Sequence, residues 1–552
     1  LPEPAPDTPS DASAPNLTLG IDTGGTYTDA VILDGDTGQL LSKGKALTTP
    51  ADLCDGIQNA ISRLRQSHAA QIRLAAISTT LATNAIVEGH GHRVGLLLIG
   101  YDQKLLQHNG LINRLPVAVV EHIQGGHDVK GNELRALDEE GLHRALGSMI
   151  GEVDAFAVAG YFSAMNPSHE VRARELISMR TGAPVVCASE LSTKLNAMRR
   201  LSTAVLNARI LPLIADLMRA VRAVLQAQGI NAPLMIVKGD GSLINQRTAV
   251  ERPIETILSG PVASAMGGHF LSGMDTAIVV DMGGTTTDIA VLENGRPWIS
   301  PHGASIGGWQ THVEAADLRT IGLGGDSHIA VGGAGRLQIG PRRAVPLCRL
   351  GAEFPLVVRE LEAARFDPNI QPDRFAGQFL MLVHKGTTAG LSEAELRILE
   401  ILSDGPCAVS QLKHELDISL VHLGRMEAVG VLQRSGLTPT DLLPSAVEAI
   451  DGNAEAAAAG AELVAKQLGI PPQTLVDLVI SQMVDRIALE LLDKLVSDRS
   501  GHSLTPAPFG WRYLFNQFLN GSPSEMIGGS LRIGLPIVGI GAPVSAFLPQ
   551  VA

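Results

Sequence analysis

The chain reads as an α/β protein made of two similar halves, and three observations predict that class. An octet, Asp-x-Gly-Gly-Thr-x-Thr-Asp, occurs at 22–29 and again at 281–288, almost half the chain further on. Each copy lies between two apolar, β-branched runs, the pattern of a hairpin with a phosphate-sized turn at its tip. Elsewhere, short apolar strands alternate with helical patterns, as in a sheet covered by helices. A hairpin repeated at that distance implies two half-molecules facing each other across a cleft.

The octet has the right chemistry for a polyphosphate. Gly24, Gly25, Gly283 and Gly284 let backbone N–H groups approach an oxyanion closely, because no Cβ intervenes. Thr26, Thr285 and Thr286 offer hydroxyl donors. Asp281 and Asp288, with Asp22 and Asp29 in register, offer carboxylates that hold Mg²⁺ directly or through its water. An ordinary tight hairpin with polar turn residues would explain one copy. It does not explain two.

Bulk composition narrows the function classes. A chain of 552 residues with 45% hydrophobic and 18% charged residues builds several domains with real cores rather than a disordered chain. A net charge of −13 repels nucleic acid and anionic membranes, so a phosphate ligand must be held by local groups. Aromatic content of 3% argues against base-stacking platforms. Cys54, Cys187, Cys348 and Cys407 are widely spaced without a C-x-x-C pair, against a zinc knuckle or disulfide framework. That usage fits a reducing, cytoplasmic setting. No apolar run is expected to reach membrane-spanning length, and no membrane contact is expected. Residues 1–16 are rich in Pro, Ala, Asp and Ser and lack the regions of a signal peptide, so a disordered tail is expected.

The elements follow in order. Leu53, Ile57, Ile61 and Leu64 have helical spacing in 51–66. A strand at 75–78 runs into a polar turn at 79–88 that opens a helix, and strands follow at 94–99, 155–159 and 185–186. A polar excursion, 121–138, contains Gly125-Gly126-His127-Asp128. From 194 to 228 a helical stripe runs through Leu206, Ile210, Leu213, Leu217, Val221 and Val224, with Pro212 predicting a kink or break. A strand then ends in the turn Gly239-Asp240-Gly241-Ser242, and a small-residue helix spans 259–268. Beyond the second octet, His312, Asp317, Asp326 and His328 lie in a glycine-rich stretch and are candidate ligands for a divalent metal. Three short helical patterns at 391–436 resemble a winged helix in layout. The would-be third helix is too poor in cationic charge for DNA. A long amphipathic helix at 472–497 presents Val476, Ile480, Met483, Ile487, Leu491 and Leu495. A last strand with a turn at Gly539 and Gly541 is the expected counterpart of the strand leading into Gly239.

Taken together, the two octets resemble the paired phosphate motifs of the actin/sugar-kinase/Hsp70 superfamily. More specifically, the sequence is similar to the hydantoinase A/5-oxoprolinase family, through 22–29, 79–88, 204–212, 259–268, 281–288, 322–330 and Leu437-Thr438-Pro439-Thr440-Asp441. The resemblance implies two RNase-H-like, actin-type lobes around a nucleotide cleft. The implied first lobe is 17–193, with connecting helices and the end of that lobe at 194–275. The second lobe is 276–390 and 437–552, interrupted by the helical, winged-helix-like insertion at 391–436. It further implies cleavage of ATP with Mg²⁺ to open a cyclic amide (hydantoin, 5-oxoproline or lactam) or to carboxylate a ketone, with a second subunit or another oligomer as partner. By position, Asp22 and Asp281 would place Mg²⁺ and the attacking group, with Asp29 and Asp288 beside them. Gly24, Gly25, Thr26, Gly283, Gly284, Thr285 and Thr286 would cradle the phosphates. Gly539 and Gly541, and after them Gly239, Gly241 and Ser242, would hold the nucleoside. A non-catalytic nucleotide-driven switch and a small-molecule kinase remain as alternatives.

Overall fold

The computed structural model describes residues 16–25, 27–48, 53–87, 89–102, 115–332, 335–366, 373–383, 391–416, 420–428, 430–504 and 532–551. The expected tail at 1–16, but for Asn16, and Thr26 of the predicted phosphate cradle lie outside the described residues. The chain divides into two compact units, Leu1–Gly267 with Gly295–Asp317, and Gly268–Asn294 with Leu318–Ala552.

In the first unit the octet joins strands Leu17–Thr23 and Tyr27–Asp34 of a six-stranded sheet. Ile72–Thr79 runs parallel to the first of them, with Leu234–Val237 next outward, and Leu40–Leu47 closes the other side. Leu17, Leu19 and Ile21 alternate into the core and meet Ile57 and Ile61 of helix Leu53–Ser62 and Ile210 and Leu217 of helix Ala197–Ala227. That long helix runs through Pro212 without the break that was one of the two expectations there. By length and mean hydropathy (1.4) it is apolar enough to cross a membrane, contrary to the expectation that no run would be. Its apolar window is 67% buried inside the protein.

Two arrangements depend on pairing distant in sequence. The strands after residue 90 do not extend the hairpin sheet. Val94–Ile99, Ala155–Gly160, Val185–Cys187 and Val119–Ile123 form a separate parallel sheet, and the first two are buried along their whole length, as parallel strands covered on both faces are. The polar excursion therefore begins inside an edge strand, where Glu121 and His122 remain solvated. Likewise, Gly295–Asp317 groups with the first unit rather than with a lobe starting at 276. Ala304, Ile306, Val313 and Ala315 bury their side chains in the core of the six-stranded sheet.

In the second unit the octet joins Ala277–Met282 and Thr287–Glu293, with Ile537–Ile540 parallel to the first strand and Arg319–Ile321 antiparallel to the second. Ile537–Ile540 lies directly beside the hairpin, where the first unit has Ile72–Thr79. It is thus not the counterpart of Leu234–Val237, which pairs one strand further out. Gly541 explains the close fit: its φ is +100°, and a Cβ there would stand 2.1 Å from the Met282 carbonyl. Helix Pro472–Ser500 packs Leu475, Val479, Met483, Ile487 and Leu491 inward, a face turned slightly from the one expected, with Val476, Ile480 and Leu495 on its margin.

The expected insertion does contain three helices, Glu393–Leu402, Val409–Leu416 and Leu420–Ala428. It is not purely helical. Leu432–Gly436 pairs with Phe379–Leu382 and with Val345–Pro346, and Leu380, Ile398, Leu412, Leu423 and Met426 share one small core.

Candidate active site

Both octets make the same turn. Gly24 N–H donates to the Tyr27 carbonyl at 3.0 Å, and Gly283 N–H donates to the Thr286 carbonyl at 2.9 Å. In the antiparallel register Asp22 stands directly opposite Asp29, and Asp281 opposite Asp288. Directly opposed residues share a sheet face with Cβ atoms about 5 Å apart. Each hairpin therefore places two carboxylates side by side, and the octet spacing does this by itself.

The seventh position of each octet is structural. Thr28 is buried and shares a 3.0 Å hydroxyl contact with Thr48, which donates to the Gly24 carbonyl at 2.9 Å. Thr287 is buried and donates to the Leu323 carbonyl at 2.6 Å. Both hold the turn from beneath.

The carboxylates are partnered differently in the two units. Asp29 faces Lys45 in the neighbouring strand and accepts an ion pair at 3.2 Å. The Ser78 hydroxyl donates to Asp22 at 2.5 Å from the parallel strand. In the second unit the residue facing Asp288 is Thr320, whose hydroxyl donates to it, and no cation takes the place of Lys45 in the register. Burial, together with the charge of Asp281, holds the Asp288 carboxyl up at about 6. The charge of Asp29 is already balanced by lysine, while the second hairpin carries an acid pair whose repulsion a cation would relieve.

That pair fits a divalent ion, and it makes a pH prediction. Below about 6 Asp288 takes up a proton, so Mg²⁺ affinity should fall as pH drops through that value and be full above it. Asp288→Asn should abolish this dependence. Because the folded-state pKa is raised, the ionised group opposes folding above that pH, and the variant should gain about 1–2 kcal/mol at pH 8 after allowance for solvent screening. Mg²⁺ titration calorimetry and thermal melts at pH 5 and 8 check both. An unchanged Mg²⁺ affinity across that range would remove the assignment.

Loops brace each tip. In the first unit Thr80 N–H donates to the Thr23 carbonyl (3.1 Å), Ser259 Oγ donates to the Thr79 carbonyl (2.9 Å) and Leu258 N–H donates to Thr83 Oγ1 (2.9 Å). Leu258 has φ +61°, an uncommon conformation for a leucine that these bonds maintain. In the second unit Gly325 N–H donates to the Gly283 carbonyl (3.0 Å) and Asp326 N–H to the Gly284 carbonyl (2.7 Å). A Cβ at Gly324 would lie 2.6 Å from the Gly283 oxygen, so only glycine permits this approach.

The glycine turn at 239–242 is committed to internal bonds. Gly239 N–H goes to the Glu255 carbonyl (3.0 Å), and its own carbonyl accepts from Ala316 (2.7 Å). Ser242 donates to Asp240 through both N–H (2.9 Å) and Oγ (2.6 Å). Beside this turn opens a polar pocket of about 380 Å³, at the carboxyl ends of Leu234–Val237 and Val185–Cys187, where ligands of parallel sheets bind. Lys194, Lys238, Arg252, Glu255, His312 and Glu314 line it. Burial pulls the Lys238 ammonium down, but Asp240 (3.1 Å) and Glu255 (3.3 Å) outweigh it and leave the group raised.

The four metal candidates do not assemble. Among the described residues no three His, Cys, Asp or Glu side chains gather around one point. His312 lines the pocket just described, with Nε2 3.4 Å from the Asn196 carbonyl, and Asp317 belongs to the same unit. Asp326 is paired with Arg343 at 3.2 Å, and His328 is buried two residues on in a strand. His312 and Asp317 belong to the first unit, and Asp326 and His328 to the second.

Ser78, Lys45 and Thr320 escaped sequence reasoning because each lies outside the octets. Asp441 did too, although its segment was among the family-like pieces. Its buried carboxylate accepts from Thr438 N–H and Oγ1 (2.9 Å each), Leu347 N–H (3.2 Å) and Cys348 N–H (2.7 Å).

Comparison with known proteins accords with this arrangement. The hydantoinase/oxoprolinase N-terminal region model matches residues 18–180, and the hydantoinase/oxoprolinase model matches 200–347. The caprolactamase subunit alpha of Pseudomonas jessenii is 29% identical over 353 residues, 59% of this chain and 50% of that protein. The acetophenone carboxylase gamma subunit of Aromatoleum aromaticum is 29% identical over 405 residues, 65% of this chain and 54% of that protein. The chain spans about half the length of these curated relatives. A nucleotide-free acetone carboxylase structure superposes with a TM-score of 0.60 at 17% identity, over 88% of this chain and 64% of that one, and shares its mixed α/β fold. The two family models take in both octets and the strands that carry them, and the chain belongs to the hydantoinase/oxoprolinase family.

Proposed function

We propose that the chain is the ATP- and Mg²⁺-binding part of an enzyme that opens a cyclic amide of the hydantoin, 5-oxoproline or lactam type. The observation that carries this reading is the duplicated pair of opposed aspartates, each at the tip of a glycine turn braced from behind. In this reading the two units are actin-type lobes. Asp281 and Asp288 hold the metal, Asp22 positions the group to be activated, and the N–H groups and hydroxyls at Gly24, Gly25, Gly283, Gly284, Thr285 and Thr286 receive phosphate oxygens. Gly541 sets the strand-to-helix turn beside Met282 at the nucleoside end. ATP would supply the phosphoryl group that turns an unreactive amide oxygen into a leaving group. The pocket around Lys238 would take the polar end of the substrate, its paired charges favouring a small hydrogen-bonding ring over an apolar one.

The chain would work with a second subunit, since relatives of similar identity carry names as subunits. A cytoplasmic setting is part of this reading. A second reading, an ATP-dependent ketone carboxylase subunit, is favoured by equal identity to the acetophenone carboxylase gamma subunit. An enolate oxygen would then replace the amide oxygen at the same site.

One panel separates the two. Phosphate release from Mg-ATP is measured with hydantoin, 5-oxoproline, caprolactam, or acetophenone plus bicarbonate, with and without a candidate second subunit. Stimulation by a cyclic amide is the expected result. Stimulation by ketone and bicarbonate alone would transfer the chain to the second reading, and none at all would defeat both.

A further inference from the structure

Three arginines surround a cavity of about 550 Å³ in the second unit: Arg342 at the end of strand Leu337–Arg343, Arg434 in Leu432–Gly436, and Arg374 shortly before Phe379–Leu382. One carboxylate, Glu427, lines it with them. Arg434 takes that carboxylate in a two-pronged pair, Nε at 2.7 Å and Nη2 at 3.1 Å, and donates Nη1 to Gln378 at 2.8 Å. Arg342 reaches the same acid only at 3.9 Å. Arg374 lies over the Phe375 ring, 4.7 Å from its centroid. The wall therefore carries more positive charge than its acid can balance.

His328 supplies a second, independent observation. It lines the same cavity, is 7% exposed, and its Nε2 has no hydrogen-bond partner. An orphaned buried polar atom costs about 1–3 kcal/mol, so native proteins seldom leave one without a purpose. Burial and the charges of Arg434 and Arg342 keep the ring neutral, with its pKa at about 4, so Nε2 can act as a plain N–H donor. Gly436 lies close against it, and a Cβ there would stand 2.8 Å from that nitrogen.

We propose that this cavity is a binding site for a small oxyanion, a carboxylate or a phosphate, held by Arg342 and Arg374 with His328 Nε2 donating from the floor and Arg434 fixed as the inner wall. An oxyanion satisfies the orphan nitrogen and the excess guanidinium charge at once, which neither water nor an apolar ligand does. The site is separate from the aspartate pairs and stands whether or not the ATP reading does.

The test uses the full chain, titrated calorimetrically with inorganic phosphate and, separately, with malonate, while the His328 imidazole resonance is followed by NMR. Saturable binding of at least one anion, moving that resonance, is expected. In the double variant Arg342→Ala/Arg374→Ala, whose changed side chains are on the surface, affinity should fall at least about tenfold. Response to phosphate alone would assign a phosphate-type ligand, and to malonate alone a carboxylate type. Absence of saturable binding for both anions, or a His328 resonance that does not move, overturns the proposal. So does undiminished affinity in a double variant whose melting curve matches the parent.

Discussion

On the reading proposed above, Asp281→Ala is expected to lower ATP cleavage by at least about a thousandfold, with the fold intact. The geometry explains both halves of that expectation. Asp281 is directly opposed to Asp288 at the end of the hairpin, and its charge helps to hold Asp288 up at about 6. Without it, one carboxylate remains where two would grip the metal. The turn bond of Gly283 and the buried hydroxyl of Thr287 stay in place. Removing a like charge should leave stability unchanged or slightly raised. Asp22→Ala is expected to share the loss of activity, since Asp22 is held toward its task by Ser78. Phosphate release and ATP titration on the purified chain with any required partner decide the matter. Normal turnover in the Asp281 variant ends the metal assignment, and normal turnover in the Asp22 variant alone would reduce the first hairpin to a structural duplicate.

Asp441→Ala is expected to cost about 3–5 kcal/mol of stability in the second unit. The substitution strands the N–H groups of Thr438, Leu347 and Cys348, all in the interior. The damage would spread to the candidate site through a short chain of contacts. Thr440 donates to the Gly325 carbonyl from N–H (2.9 Å) and Oγ1 (2.8 Å), and Gly325 braces the Gly283 carbonyl. Loss of nucleotide binding should therefore accompany the loss of stability, unlike in Asp281→Ala. Asp441→Asn keeps one acceptor oxygen and should lose less. Denaturant midpoints for the second unit's transition measure the cost, and a midpoint equal to the parent's would refute this role for Asp441.

The candidate site was legible wherever its information was local. Eight residues suffice to set a glycine turn and bring two aspartates opposite each other, because an antiparallel register follows from the turn that closes it. Helix and strand positions near the octets followed from periodicity for the same reason. What could not be read depended on partners distant in sequence. The equivalence expected between Ile537–Ile540 and Leu234–Val237 was misplaced by one strand, since both are apolar runs ending in glycine and only pairing distinguishes them. Gly295–Asp317 follows the second octet in sequence, yet its apolar side chains are buried in the first unit's core. Four metal-type residues clustered in sequence belong to different strands and loops.

From its residues alone, then, this chain established two matching turns, the acids they carry and the family to which they belong. Tertiary structure decided which acid meets a cation. Lys45 meets Asp29, whereas Thr320 meets Asp288, and that difference lies in strands flanking each hairpin rather than in the octets. Turn geometry is a property of consecutive residues, while the field at a carboxylate is set by whatever the sheet brings alongside it.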